Sequence, residues 1–271
     1  MTNLRTLIKR KLGQIYQLRN NHKKRKVIIL YHSVGNTNLG MNKNKFINQL
    51  KWLKENCYIK NINDLLETNN YSAESSKPLD IEVAITFDDG YQSVIKNIYP
   101  IMQELNISGC IYLNTNFIFN NRNNKSSELN GHYHGEYFLS WKEIKELKKN
   151  GWEIGSHGCD HLDLTSISEN LLKKELFNSK AKIEKYLGAE CKHFSYPWGY
   201  HNKSVINMVQ ETGYKFAVSG IQKSFDQKKD SFFAIPRFNI SNDYTLYDFQ
   251  SIIKGYWDYL SWDLKKVLIK K

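Results

Sequence analysis

Apolar positions along the chain alternate between two patterns. Short unbroken runs, VIILYH at 27–32, VAITF at 83–87 and CIYLN at 110–114, predict strands buried on both faces. Between them apolar residues recur every three or four positions. Phe46, Leu50 and Leu53 predict a helix over 43–56, and Val94, Ile98, Ile101 and Leu105 predict one over 92–105, kinked at Pro100. Further on, Ser140 with Glu143 forms a capping box for a helix that runs to Asn150 and stops at Gly151. WEIGSH reads as a strand leading into a loop. Ser166 with Glu169 is expected to cap a helix to Leu187, ended by Gly188. KHFSY, KFAVS and FFAIPRF read as strands, 203–212 as a helix, and Thr245 opens a last helix into a basic tail. Residues 119–135 are polar and read as a mobile loop.

Strands alternating with amphipathic helices predict an α/β fold with parallel strands, closed as a barrel or open and curved. Six or seven such units occur, with no repeat and no linker, so 27–245 reads as one domain. A basic amphipathic helix within 1–26 precedes it, with Leu4, Leu7, Ile8, Leu12, Ile15 and Leu18 on its apolar side. A C-terminal helix with a basic tail, 246–271, follows. In such folds the chemistry gathers where strands end. TFDDG, GSHGCDH and SYPWG all follow strands, which predicts three polar clusters on one face.

The chain has 271 residues, 41% of them apolar, enough for a sizeable core. Its formal charge of +12 suits an acidic partner such as anionic lipid, an acidic saccharide or nucleic acid. Lys is spread along the chain and no nucleic-acid motif is present, so nucleic acid is not expected as a partner. Cys57, Cys110, Cys159 and Cys191 form no C-x-x-C pair and read as thiols of a reducing compartment. The N-terminal stretch lacks a secretory apolar region. The expected location is therefore cytoplasmic, with residues 2–20 either on the inner face of an anionic membrane or packed on the body.

Asp88 and Asp89 adjoin where a strand ends, although like charges repel and neighbours on a strand point to opposite faces. A cation nearby resolves the conflict. His157 and His161 are four apart, a spacing that can aim both imidazoles at one point and, with one carboxylate, make a three-ligand site with open positions. Zinc is the default for such donors, with Co, Ni or Fe fitting similar ligands. Cys159 and Asp160 are rival ligands, and Asp163 is placed to orient one imidazole.

These clusters resemble the polysaccharide deacetylases, the NodB-homology group of carbohydrate esterase family 4. TFDDG at 86–90 resembles the first motif in full, HGCDH at 157–161 the second with Gly158 in place of a hydroxyl residue, and FSYPWG at 194–199 the third. ILYHSV at 29–34 and IPRFNIS near the end resemble one branch of the group. The resemblance implies a distorted (β/α) barrel that removes acetyl groups from N-acetylated sugars with a divalent metal. Asp88 would be the general base and Asp89, His157 and His161 the metal ligands. Tyr196, Pro197 and Trp198 would lie at the glycan, with the Trp198 N–H facing the oxyanion. The chain departs from the pattern twice: Ser195 stands where the third motif usually has arginine, and the late histidine motif that supplies a general acid is missing. His32 is the expected acid and Arg237 the expected partner of Asp88, as in a permuted barrel. The readings left open are an N-acetylated glycan deacetylase, a small-molecule amidohydrolase and an inactive carbohydrate-binding protein.

Overall fold

The structure is a computed structural model that describes residues 24–35, 40–67, 77–119 and 132–258, together with Ile8, Lys11 and Gly13. The apolar runs become parallel strands. β1 (Lys24–Tyr31) pairs along its full length with β3 (Asp80–Phe87), and from Val27 and Ile81 onward nearly every residue of both is buried. β4 (Cys110–Leu113), β5 (Glu153–Ser156), β6 (His193–Ser195) and β7 (Phe216–Val218) continue the sheet, and β8 (Phe238–Asn239) joins the other edge at β1. A two-residue strand β2 (Tyr58–Ile59) pairs with the start of β3 and was not expected from the sequence.

The sheet curls back on itself. Ile235 bridges Val218 of β7, and Phe238 three residues later pairs with Ile29 of β1. The expected strand over 232–238 is thus a crossing, not one straight strand. Pro236 lacks the N–H a central ladder needs, and the chain leaves one neighbour there and meets the next. This segment closes a distorted barrel.

Alternation along each strand sorts residues into two cores. Ile28, Ala84, Cys110, Tyr112, Val218 and Ile235 cluster inside, with Ile62, Leu65 and Leu66 of the short helix α2 (Ile62–Glu67) packed among them. Val27, Ile29, Val83, Ile85 and Phe87 belong to the larger cluster that also takes in Phe46, Leu50 and Leu53 of α1 (Lys43–Asn56).

The helix signals largely hold. After a π-helical turn at Val94–Ile98 comes α3 (Tyr99–Glu104), with Pro100 in its first turn where a missing N–H costs nothing. α4 (Trp141–Lys149) carries the Ser140–Glu143 capping box. α5 (Glu169–Leu187) ends at Gly188, but its cap is Ser168, whose hydroxyl accepts the Leu171 N–H. Ser166 instead donates to Asp163 in the preceding turn. α6 (Lys203–Glu211) and α7 (Leu246–Ile253) complete the set, capped by Asn202 and Thr245. β1 begins at Lys24, three residues inside the expected N-terminal segment. The expected helix over 2–20 lies outside the described residues except for Ile8, Lys11 and Gly13. All four cysteines are free and buried, and no described helix is long and apolar enough to cross a membrane.

Candidate active site

A cavity of about 370 Å³ opens at the C-terminal ends of the strands. His32, Asp88, Asp89, His157, His161, Trp198 and Arg237 all line it. The inward series Ala84, Thr86, Asp88 follows the strand period, so Asp88 faces the interior without distortion. Asp89 should face away. Its φ of 73° breaks the period and returns its carboxylate to the same cavity. Asp89, His161 and Trp198 are three of the four described non-glycine residues with positive φ, and all three line the cavity. Gly90 permits the turn: a Cβ there would sit 3.1 Å from the Leu113 side chain.

Asp88 is held by Arg237. The guanidinium donates Nη1–H to Oδ1 and Nη2–H to Oδ2, both at 2.8 Å. Nη2 also reaches the Ser195 hydroxyl at 2.8 Å, and that hydroxyl donates to Asp88 Oδ2 at 3.1 Å. The third motif's missing arginine thus has a counterpart in space, delivered from the barrel-closing segment into the room that serine leaves. Burial alone would raise the Asp88 pKa, but the charges of Arg237 and then His157 hold it well below the usual carboxylate range.

Asp89 has no guanidinium or ammonium partner among the described residues. Its Oδ1 accepts from Asn114 Nδ2 at 3.3 Å and lies 3.6 Å from His157 Nε2, 3.6 Å from His161 Nε2 and 3.9 Å from His132 Nδ1. Burial lifts its pKa and the imidazoles, His161 foremost, bring it below the ordinary value. Burial in turn drives His157 and His132 down to about 4, so both are neutral at neutral pH and able to donate a lone pair. At that pH neither of these two imidazoles can compensate the charge of Asp89. Two donors sharing a tetrahedral zinc at about 2.0–2.1 Å lie roughly 3.3 Å apart. The separations of His157 and His161 from Asp89 fit a divalent ion beside that carboxylate, although the donor atoms that all lie within 4.8 Å of one another are those of Asp89, His132 and His161, without His157.

The rival ligands point elsewhere. The Cys159 thiol donates to the Glu175 carbonyl, and burial raises its pKa to about 11. Asp160 accepts from Asn116 Nδ2 on the outer side. Asp163 accepts from Thr165 and Ser166, organising the turn before α5. The substrate-facing expectation divides. Trp198 is 48% exposed, with its ring 5.1 Å from that of His161. Tyr196 and Pro197 are buried and do not line the cavity. Tyr196 stacks on His201 and donates to the Phe233 carbonyl, which makes it a core residue and not a sugar platform. His32 follows the last residue of β1, continues the inward series Ile28, Leu30, His32 and stands at the cavity wall. Its rival His201 is buried, with Nδ1 at the Gly199 carbonyl.

Two residues escaped the sequence reading. His132 falls within the polar stretch 119–135, yet it is buried, and donor atoms of Asp89, His132 and His161 lie within 4.8 Å of one another. Phe117 and Phe138 flank its ring, a signal visible only once the loop is folded. Glu175 on α5 accepts the Cys159 and Asp160 N–H groups at 2.8 and 3.1 Å, fixing the turn between the two motif histidines. A Cβ on Gly158 would meet its carboxylate at 2.9 Å, and φ there is +83°. Gly158 replaces the usual hydroxyl residue because Glu175 occupies that space.

With this geometry in hand the comparisons are specific. The polysaccharide deacetylase family matches residues 75–217, more than half of the chain, and the chain belongs to that family. It is 29% identical over 231 residues to the poly-beta-1,6-N-acetyl-D-glucosamine N-deacetylase of Staphylococcus aureus (strain MSSA476), covering 82% of this chain and 73% of that protein. The fold is shared with the Streptococcus pyogenes deacetylase PplD in complex with acetate (TM-score 0.69, 21% identity, 86% of this chain and 99% of that one). It is also shared with IcaB from Ammonifex degensii (TM-score 0.69, 18% identity, 86% and 98%).

Proposed function

We propose that this chain is a metal-dependent deacetylase that hydrolyses the N-acetyl group of an amino sugar in a polysaccharide or glycan intermediate. The observation that supports it best is the division between the adjacent aspartates. Asp88 is neutralised by Arg237, whereas Asp89 lies among the imidazoles of His157, His161 and His132 with no guanidinium or ammonium partner among the described residues.

Asp89, His157 and His161 would hold the ion. When bound, a divalent ion supplies Lewis-acid polarisation of the amide carbonyl and eases deprotonation of water. Asp88 takes the proton of the attacking water. Oδ2 already accepts from Arg237 and Ser195, but Oδ1 accepts only the Arg237 Nη1–H and keeps a further lone pair for that proton. Arg237 keeps the base ionised and fixes its plane, and Ser195 braces both. The Trp198 N–H is proposed to donate to the developing oxyanion. His32 is proposed to protonate the leaving amine nitrogen, since an amine leaves poorly as an anion. The exposed Trp198 ring offers an apolar face to the sugar.

The S. aureus relative's name points to a β-1,6-linked N-acetylglucosamine polymer, the first substrate class to try. Zinc-loaded protein is incubated with N-acetylglucosamine oligomers of β-1,6 and β-1,4 linkage and with simple N-acetyl amides. Released acetate and new free amine are then quantified. Equal amounts of both from oligomers are expected. Turnover confined to simple amides would indicate a small-molecule amidohydrolase. Metal binding with no acetate from any substrate would indicate a carbohydrate-binding protein.

A further inference from the structure

We propose that His132 is a fourth protein ligand of the metal, so that the donor set is three imidazoles and one carboxylate. This rests on the metal-dependent reading above and goes beyond the aspartate and two histidines that the motifs provide. One carboxylate oxygen, Asp89 Oδ1, is the common neighbour of three ring nitrogens. His132 Nδ1 at 3.9 Å differs little from the two motif histidines at 3.6 Å. The His132 ring lies 4.8 Å from that of His161, centroid to centroid.

Its position is fixed by the fold. The Tyr133 N–H donates to the Tyr91 hydroxyl at 2.8 Å, the Gln92 N–H to the Tyr137 carbonyl at 2.7 Å, and the Leu139 N–H to the Gly90 carbonyl at 2.9 Å. The segment that carries His132 is therefore stitched to the turn that carries Asp89. Phe117 and Phe138 hold the ring edge-on at centroid distances of 4.8 and 5.0 Å. The side chain is fully buried, and its Nε2 has no hydrogen-bond partner among the described residues. Among the described residues, only the Tyr91 hydroxyl, 3.3 Å from Nδ1, makes a hydrogen bond with the ring. Nδ1, which faces Asp89, is the nitrogen that would bind the ion, with the ring proton then on Nε2. Three imidazoles select first-row transition ions over magnesium or calcium, and a fourth protein donor retains the ion more firmly.

The test uses the full chain loaded with zinc. Nitrogen-15 NMR of imidazole-labelled wild type counts the histidines whose ring nitrogen is metal-bound, with no substitution needed. Chelator competition then compares wild type, His132→Ala, His132→Gln and Asp89→Ala. Three metal-bound imidazoles are expected, with zinc affinity lowered on the order of 100-fold in both His132 variants. Loss of an outer partner of a metal ligand already costs about 10–100-fold. Two metal-bound imidazoles and unchanged affinity in both His132 variants would overturn this proposal alone. Failure of wild type to bind zinc would overturn it together with the metal-dependent reading.

Discussion

Adjacent aspartates at a strand end meet different partners in one cavity because one follows the strand period and the other breaks it. Asp88 continues Ala84 and Thr86 into the barrel, and only the φ of 73° at Asp89 brings both carboxylates to one cavity. The two metal-motif histidines and both aspartates were legible as residue types at a spacing. The fixed pairing of Arg237 with Asp88 joins residues 149 positions apart, so the sequence could suggest it only through a missing arginine at 195. Arg237→Met should leave Asp88 buried without its cation. The acid limb of the pH–rate profile then moves to higher pH, because burial alone raises that pKa. Stability should fall by about 3–5 kcal/mol, the usual cost of breaking one side of a buried pair. Arg237→Lys should recover part of the charge but not the two-pronged geometry. An unmoved acid limb in Arg237→Met would detach the guanidinium from the base. At His32, the β1 period aims the ring inward while His201 is held at a backbone carbonyl. His32→Ala should keep zinc and lose kcat, whereas His201→Ala should keep both.

At the level of elements, α5 does more than cover the sheet. Its Glu175 reaches the turn between His157 and His161, and burial raises the pKa of this carboxyl even as it accepts two backbone N–H groups. Glu175→Ala should lower zinc affinity about 10–100-fold, the usual cost of losing the support of a metal ligand. Glu175→Gln, which keeps an acceptor oxygen, should lose much less. Equal affinities in all three proteins would make Glu175 a packing residue only. Helix limits were legible because caps and glycine stops are local: the Ser140–Glu143 box and Gly188 needed no tertiary information. Ser166 was mistaken for the α5 cap because it shares its residue type with Ser168, and only the Asp163 turn separates their roles. β2 and α2 were missed for another reason. Two strand residues and six helical ones are too short to establish a period, and their pairing with β3 and the inner core defines them.

For the molecule as a whole, the alternation of runs and helices showed the parallel α/β barrel, while its closure was not legible. Closure depends on 235–239 leaving β7 and joining β1, a long-range choice that Pro236 merely permits. The opposite end of the barrel bears on acid stability. His193 begins β6 and meets Asn63 Oδ1 through Nε2 at 2.7 Å. Burial, then the charges of Lys192 and Lys148, lower its pKa to about 3. The unfolded chain therefore takes up a proton below about pH 6.5 that the folded protein refuses, and stability falls as pH drops from there towards 3. His193→Gln keeps a donor for Asn63 and should recover roughly 2 kcal/mol of the loss between pH 7 and pH 5. Urea unfolding at both pH values reads this directly, and an identical loss in wild type and variant would remove His193 from the account. For the first motif we propose a division of labour in which Asp88 moves the proton and Asp89 holds the ion. It is tested most directly by zinc-loaded Asp88→Asn beside wild type on an N-acetylglucosamine oligomer, with bound zinc and released acetate measured in the same sample. Full zinc occupancy with acetate release slowed by on the order of 10² or more is the predicted result. Acetate release near the wild-type rate, or loss of the zinc, would contradict it.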